Sequence, residues 1–77
     1  MFQYNICTEA DRDIFEKQCK ALENRIPNIS KEELLRDVDG SETQLYLIGD
    51  KKVSVHNSFY IGAVYVESDI ELEPYFS

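Results

Sequence analysis

Apolar and polar residues alternate over the first seven positions of the chain. Phe2, Tyr4 and Ile6 fall on one side of an extended chain, and polar residues lie between them. A period of two residues is the signature of a strand with one face in the core and one face in water. Residues 1–7 are therefore predicted to form a half-buried strand.

The next segment has a helical period. Thr8 is placed to cap a helix, and Pro27 is placed to end it. Between them, apolar residues recur at intervals of three or four, at Phe15, Cys19, Leu22 and Ile26. This spacing puts them on one stripe and predicts an amphipathic helix over residues 9–26.

A second, shorter helix is predicted over residues 31–38. Ser30 and Glu33 have the spacing of a capping box, in which each side chain bonds to the backbone N–H of the other residue. Ile29 and Leu34 have the spacing of the hydrophobic contact that often accompanies such a box. Gly40 stands where a helix would stop.

The remainder of the chain has the composition of strands. Residues 44–48 and 53–56 are β-prone and are separated by a turn at residues 49–52. Residues 59–66 are apolar on both faces, which predicts a central strand. Residues 67–73 alternate again and predict a short edge strand that Pro74 would end, with a loop at the end of the chain as the alternative.

These elements predict an α+β domain that spans residues 1–77 as a single unit. The expected order is β-α-α-β-β-β, a two-layer sandwich with two helices on one face of a mainly antiparallel sheet. The other face could be open and would then expose an apolar and aromatic surface typical of an interface. Its expected members are Tyr46, Ile48, Tyr60, Val64 and Val66.

Composition narrows the class of protein. The chain has 77 residues, 43% of them hydrophobic, which is enough for a small core. Its net charge is -7, and no base follows Lys52. Such a charge repels the phosphates of nucleic acids and attracts basic proteins. The expected partner is therefore a basic protein, with neither nucleic acid nor membrane as a partner.

Two features bear on the compartment. Cys7 and Cys19 are too few for a disulfide framework and match no zinc pattern, which favours two buried thiols in a reducing environment. Residues 1–8 already have the pattern of a strand with no basic region before it, and no apolar run approaches the length of about 20 residues that spans a membrane. We expect a cytoplasmic protein.

No catalytic, cofactor or metal motif is recognisable. The segment 37–40 resembles part of a calcium loop, but the first and last ligand positions would fall on Leu35 and Tyr46, which supply no carboxylate. His56 is the only histidine, and neither Ser54 nor Ser58 next to it has the marks of an activated nucleophile. We therefore expect a protein that is not an enzyme and has no cofactor.

The acidic carboxyl-terminal strip carries the best candidate site. Its carboxylates occupy alternate positions, so on a strand they would project to one side about 6–7 Å apart, near the spacing of phosphates in a nucleic acid. Aromatic side chains in and near the strip could anchor a partner. The expected partner-binding residues are Glu67, Asp69, Glu71, Glu73, Tyr75, Phe76, Tyr60 and Tyr65.

Three functions are compatible with this pattern. The first is an immunity protein or antitoxin that neutralises a basic bacterial toxin, most plausibly a nuclease, by direct binding. A close variant is a phage-type mimic of nucleic acid that inhibits a defence nuclease. The third, of another class, is a structural or regulatory module that forms a homodimer through its sheet.

Overall fold

The computed structural model describes residues 1–76, with Phe76 described by its backbone alone. Five strands and two helices follow one another along the chain. In order they are β1 (Phe2–Cys7), α1 (Arg12–Arg25), β2 (Ile29–Arg36), β3 (Glu42–Ile48), β4 (Lys51–Ser58), β5 (Ala63–Ser68) and α2 (Glu73–Phe76).

The strands form one antiparallel sheet in the order β1-β5-β4-β3-β2. Strands β2 to β5 follow one another as a meander, in which each strand pairs with the next. Strand β1 lies beside β5 at one edge, and β2 forms the other edge. Helix α1 therefore carries the chain across the sheet from one edge to the other.

Helix α1 is held at its start by Asp11. This residue is extended, and its carboxylate accepts a hydrogen bond of 3.1 Å from the backbone N–H of Ile14. A side-chain cap of this kind satisfies a donor that has no partner within the helix. The cap is Asp11 instead of the expected Thr8, so the helix begins three residues later than predicted. The apolar stripe is confirmed: Phe15, Cys19 and Leu22 are buried.

The core lies between α1 and the central strands. The side chains that β3, β4 and β5 direct toward the helix are at most 1% exposed at Tyr46, Val53, Val55, Val64 and Val66. The Tyr46 hydroxyl donates to a carboxylate oxygen of Glu23 at 2.6 Å. Burial, followed by this carboxylate, raises the pKa of Tyr46. The buried Tyr46 hydroxyl is therefore hydrogen-bonded and neutral.

The predicted second helix is wrong, and so is the predicted order of elements. Residues 29–36 form β2, which pairs with β3 from Ile29 opposite Ile48 to Arg36 opposite Glu42. The order is β-α-β-β-β-β with only the four-residue α2 at the end. The helix-forming residues of this segment are overridden by pairing with β3, because propensity is weak relative to tertiary contacts.

A bulge explains why β2 lacks visible alternation. The register with β3 shifts between Lys31 and Leu34, so two glutamates occupy the space of one residue. The buried side chain of Gln44 donates to the carbonyl oxygens of Glu32 at 2.9 Å and of Glu33 at 3.3 Å. These bonds satisfy carbonyls that the bulge removes from the strand ladder.

Strand β5 is shorter than predicted. It begins at Ala63, after a turn in which the N–H of Gly62 donates to the carbonyl of Ser58 at 2.8 Å. Gly62 has a φ of 74°, a left-handed conformation that glycine adopts without steric cost. Residues 59–62 therefore connect β4 to β5 instead of extending the sheet.

The predicted edge strand over residues 67–73 is also wrong. Both sides of β5 are occupied, by β1 and β4, so the chain after Ser68 has no free edge beside its own strand. It turns toward the helix side, where Leu72 is fully buried. The Leu72 N–H donates to the Tyr4 hydroxyl at 2.7 Å, and Arg25 donates to the carbonyl of Tyr75 at 3.3 Å.

Candidate functional site

The sheet face opposite α1 is uncovered within residues 1–76. Helix α2 contacts α1, so both helices lie on the other side. Along β3, β4 and β5 buried residues alternate with half-exposed ones. We call this surface the open face. Its half-exposed residues on these strands include Thr43, Leu45, Leu47, Ser54, His56, Tyr65 and Glu67.

A shallow concavity of about 600 Å³ lies on the open face. Its floor is mostly apolar and includes Leu35, Leu45 and Leu47, with Ser54 and Lys52 of β4 opposite the last two in the register. Its rim carries carboxylates on two sides, Glu32 and Glu33 on β2 and Glu67 and Asp69 at the end of β5. We call this concavity, with its floor and rim, the acidic groove. Lys52 is the one lysine or arginine that lines it in the described part of the chain, and Met1 lines it as well.

A hydrogen-bonded cluster surrounds His56 beside the groove. The Thr43 hydroxyl lies 3.0 Å from Nδ1, and the Ser54 hydroxyl lies 2.8 Å from Nε2. A carboxylate oxygen of Glu67 lies 3.1 Å from the same Nε2. The imidazole ring stacks on Tyr65 with the ring centroids 4.6 Å apart. Four neighbours therefore fix the orientation of the only histidine.

The cluster contains a serine, a histidine and a carboxylate, the residue types of a catalytic triad, but their geometry is not that of a triad. Ser54 and Glu67 approach the same nitrogen, whereas a serine nucleophile and its acid need opposite nitrogens of the imidazole. Thr43 approaches the other nitrogen, but it lies in β3, which is paired on both sides. Backbone N–H groups used in the ladder cannot stabilise an oxyanion. The arrangement instead makes a rigid polar patch beside an apolar floor.

The pKa of His56 is lowered from its ordinary value of 6.5 because burial penalises the charged ring. Glu67 opposes this effect without overcoming it. The Glu67 carboxylate beside Nε2 favours the tautomer with its proton on Nε2, in which Nδ1 accepts from the Thr43 hydroxyl. The open face therefore has a neutral centre at pH 7, and its charge lies in the rim.

This histidine predicts a dependence of stability on pH. The folded pKa lies below the unfolded one, so the unfolded chain binds the proton more tightly. The resulting stabilisation is fully present above about pH 6.5 and is lost as the pH falls through the folded pKa. We expect the melting temperature to fall between about pH 7.5 and about pH 5.5, and to fall less in His56→Gln. Equal slopes in the two proteins would show that another group is responsible.

A second exposed surface lies at the end of the sheet where two loops meet. Val38, Tyr60 and Ile61 are 104%, 92% and 63% exposed, and Phe59 is half-exposed beside them. The loops are joined because the N–H of Phe59 donates to the Ser41 hydroxyl at 2.9 Å. We call Val38 and residues 59–61 the apolar tip. It is a set of exposed apolar side chains at one end of the sheet that nothing in residues 1–76 covers.

The acidic strip expected from the sequence is divided by the fold. Glu67 and Asp69 reach the rim of the acidic groove, where Asp69 also accepts a hydrogen bond of 2.9 Å from the N–H of Lys52. Glu71 and Glu73 are exposed beyond the sheet, next to the buried Leu72. The four carboxylates therefore do not form one row, because the strand that would align them ends at Ser68.

The expected aromatic anchors are only partly brought together: Tyr60 and Tyr65 line one concavity beside His56, whereas Tyr75 lies elsewhere. Tyr65 lies on the open face, and Tyr60 lies in the apolar tip. Tyr75 is half-buried against the core on the helix side, so it supports the fold. The side chain of Phe76 lies outside the described residues. Of the expected surface residues, Tyr46, Val64 and Val66 are buried in the core, which corrects the predicted composition of the open face.

The floor and half of the rim of the acidic groove are absent from the binding residues predicted from the sequence. Leu45 and Leu47 alternate with buried residues in β3, and this alternation was present in the sequence. The predicted helix over residues 31–38 includes Glu32, Glu33 and Leu35. A helix would not place these three residues side by side along β3, as the strand β2 does. A predicted strand over residues 29–36, in place of the helix, would have identified these residues as neighbours of β3.

Other chemistry finds little support in the described residues. No group of three or more His, Cys, Asp or Glu side chains within residues 1–76 is arranged to hold a metal ion. Cys7 and Cys19 are free thiols, and burial raises the pKa of Cys19. No helix among these residues has the length and apolar character needed to cross a membrane.

Comparison with known proteins adds no family. No family model, no curated protein and no solved structure matches this chain. The open face, the apolar tip and the charge of the chain are therefore the features that bear on function.

Proposed function

We propose that the protein is a small cytoplasmic inhibitor that binds a basic protein through the acidic groove. The observation that carries the proposal is the pairing of an apolar floor with acidic rims. Buried apolar contacts supply most of the affinity of an interface, and complementary charge on its rim speeds association and selects the partner. A net charge of -7 extends the attraction beyond the groove.

Within this class, an immunity protein or antitoxin against a bacterial toxin is the function we favour. Enzymes that cleave nucleic acids carry basic surfaces for phosphates, and such surfaces complement an acidic rim. A phage-type mimic of nucleic acid is the closest alternative. The geometry favours direct protein contact, because the rim carboxylates surround leucines instead of forming a regular row.

Site-specific cross-linking tests this proposal. A photoreactive amino acid at Leu47, on the floor of the acidic groove, should capture a basic protein in the native host. The same group at Lys20, on the exposed side of α1, is the matched control and should not. Capture should decrease at high salt, because exposed charges are then screened. Equal capture from both positions would contradict the proposal.

The apolar tip supports a second candidate function, a module that self-associates. Contiguous exposed apolar side chains favour association between copies. If the tip forms a dimer, Tyr60→Ser together with Ile61→Ser should shift the protein from dimer to monomer in size-exclusion chromatography with light scattering. Both side chains are more than half exposed, so the stability of the monomer should change by less than about 0.5 kcal/mol. A wild-type monomer at high concentration would exclude this function.

A further inference from the structure

Both edges of the sheet are poorly suited to accept another strand. The register of β1 shifts between Asn5 and Cys7, and that of β2 shifts between Lys31 and Leu34. Bulges of this kind bend an edge strand and interrupt its row of hydrogen-bonding groups, which blocks the addition of a further strand. A partner that uses this sheet must therefore contact a face through side chains.

The width of the acidic groove matches a helix. Its two acidic sides lie on β2 and β5, which are three strand positions apart in the sheet. At a strand spacing of about 4.8 Å, this separation is about 14 Å. An α-helix with its side chains is about 10–12 Å in diameter, so one helix fits between the rims.

The spacing along the groove matches a helix as well. Leu45 and Leu47 are alternate residues of β3 and lie about 6–7 Å apart. Residues at positions i and i+4 of a helix rise by about 6 Å and face the same side. Leu35, opposite Thr43 in the register, extends this floor toward β2. An apolar helical stripe can therefore contact the floor with successive side chains.

The carboxylates on the rim of the groove indicate which residues would lie beside the apolar stripe of a bound helix. Carboxylates border the floor on both sides, at Glu32 and Glu33 and at Glu67 and Asp69. Lysine or arginine on either side of an apolar stripe would meet one rim each. A basic amphipathic helix has this arrangement, and helices of this type are commonly bound in apolar grooves.

We propose that the acidic groove binds a basic amphipathic helix of the partner protein. The complex would then have a helix on each face of one sheet, with α1 on one side and the partner helix on the other. This inference rests on the proposed function, because it specifies which element of the basic partner occupies the same groove.

Synthetic peptides test the inference without knowledge of the partner. The first peptide places leucines at i, i+3, i+4 and i+7 and lysines elsewhere, with one tryptophan as a fluorescent reporter. The chain itself has no tryptophan, so the signal comes from the peptide alone. A second peptide has the same composition in strict alternation, and a third replaces lysine by glutamate in the helical pattern.

The helical lysine peptide should bind and gain helicity in circular dichroism. The alternating peptide and the glutamate peptide should bind at least about tenfold more weakly, a difference of about 1.4 kcal/mol. The double variant Glu32→Lys with Glu33→Lys should bind the helical lysine peptide about tenfold more weakly than the wild-type protein does. Glu71→Lys with Glu73→Lys has the same charge change away from the groove and should have a much smaller effect.

Two results would overturn the inference. One is binding of the alternating peptide as tightly as the helical one, and the other is equal loss of binding in the two double variants. Cross-linking from Leu47 separates this failure from failure of the proposed function. Suppose that Leu47 captures a basic protein but that the helical peptide is not preferred. The proposed inhibitor function would then stand, and the proposal that the partner binds through a helix would be rejected.

Discussion

Replacement of Leu72 by alanine is expected to destabilise the fold by about 2–5 kcal/mol, the usual cost of truncating a fully buried leucine. Leu72 is 0% exposed, although it lies in an acidic segment that has the composition of a solvated tail. A domain of this size has a net stability of only about 3–5 kcal/mol from its core. The variant should therefore be largely unfolded or melt at a much lower temperature. Urea denaturation monitored by circular dichroism measures the loss.

Leu34→Ala is the matched control for this prediction. It is the same chemical change at a leucine that is 41% exposed on β2, so we expect a loss below about 1 kcal/mol. If the two variants lose similar stability, residues after Ser68 do not pack on the helix side of the sheet, and the division of the acidic strip would have to be abandoned.

Reversal of charge at the rim of the acidic groove should weaken partner binding on the order of 100-fold. An exposed ion pair contributes about 0.2–1 kcal/mol, and a lysine in place of a carboxylate converts that attraction into repulsion. Two such changes together approach about 2.7 kcal/mol, which is a factor of about 100. The effect should fall mainly on the association rate and should shrink as salt is added. Surface plasmon resonance with the captured partner measures both.

The fold supplies matched variants for this test. Glu32→Lys with Glu33→Lys and Glu67→Lys with Asp69→Lys alter opposite sides of the groove, and Glu71→Lys with Glu73→Lys alters the tail. Each replacement adds two charge units, so every pair changes the net charge from -7 to -3. Differences in partner binding among the three double variants therefore depend on where the charges lie and not on the net charge. An equal effect of all three pairs would indicate non-specific attraction and no defined site.

The apolar stripe of α1 and the presence of the first strand could be predicted, because each segment has a regular hydrophobic period. Phe15, Cys19 and Leu22 share a stripe that only a helix brings together, and the structure buries all three. In β1 only Tyr4 of the three predicted inward residues is half-buried, Phe2 and Ile6 are exposed, and a bulge places Cys7 opposite Val64. A bulge adds one residue without leaving a mark in the hydrophobic pattern.

The error at β2 has a different origin. Residues 30–35 contain good helix formers and a capping-box spacing, so local preference and tertiary structure conflict there. Pairing with β3 decides the outcome, with Gln44 bonding to both carbonyls of the bulge. This interaction joins residues more than ten positions apart, and no short window of sequence contains it.

The candidate site was predicted in part. The sequence indicated an open sheet face and an acidic binding surface, and the structure places Tyr65, Glu67 and Asp69 there. It could not indicate which side of β5 is buried, because residues 63–66 are apolar on both faces. Packing in the core on the helix side of the sheet decides this, and it buries Val64 and Val66. Because the same face of the sheet is buried along β3, Leu45 and Leu47 lie on the open face and form the floor of the acidic groove.

The central claim is that partner binding covers the open face, and the methyl groups of the six leucines test it directly. Leu35, Leu45 and Leu47 line the acidic groove, Leu34 is exposed on the helix side of β2, and Leu22 and Leu72 are in the core. Methyl NMR spectra recorded as the captured partner is added should show large shifts for the three groove leucines and small shifts for the other three. Shifts centred on Leu34, with the groove leucines unchanged, would contradict the account.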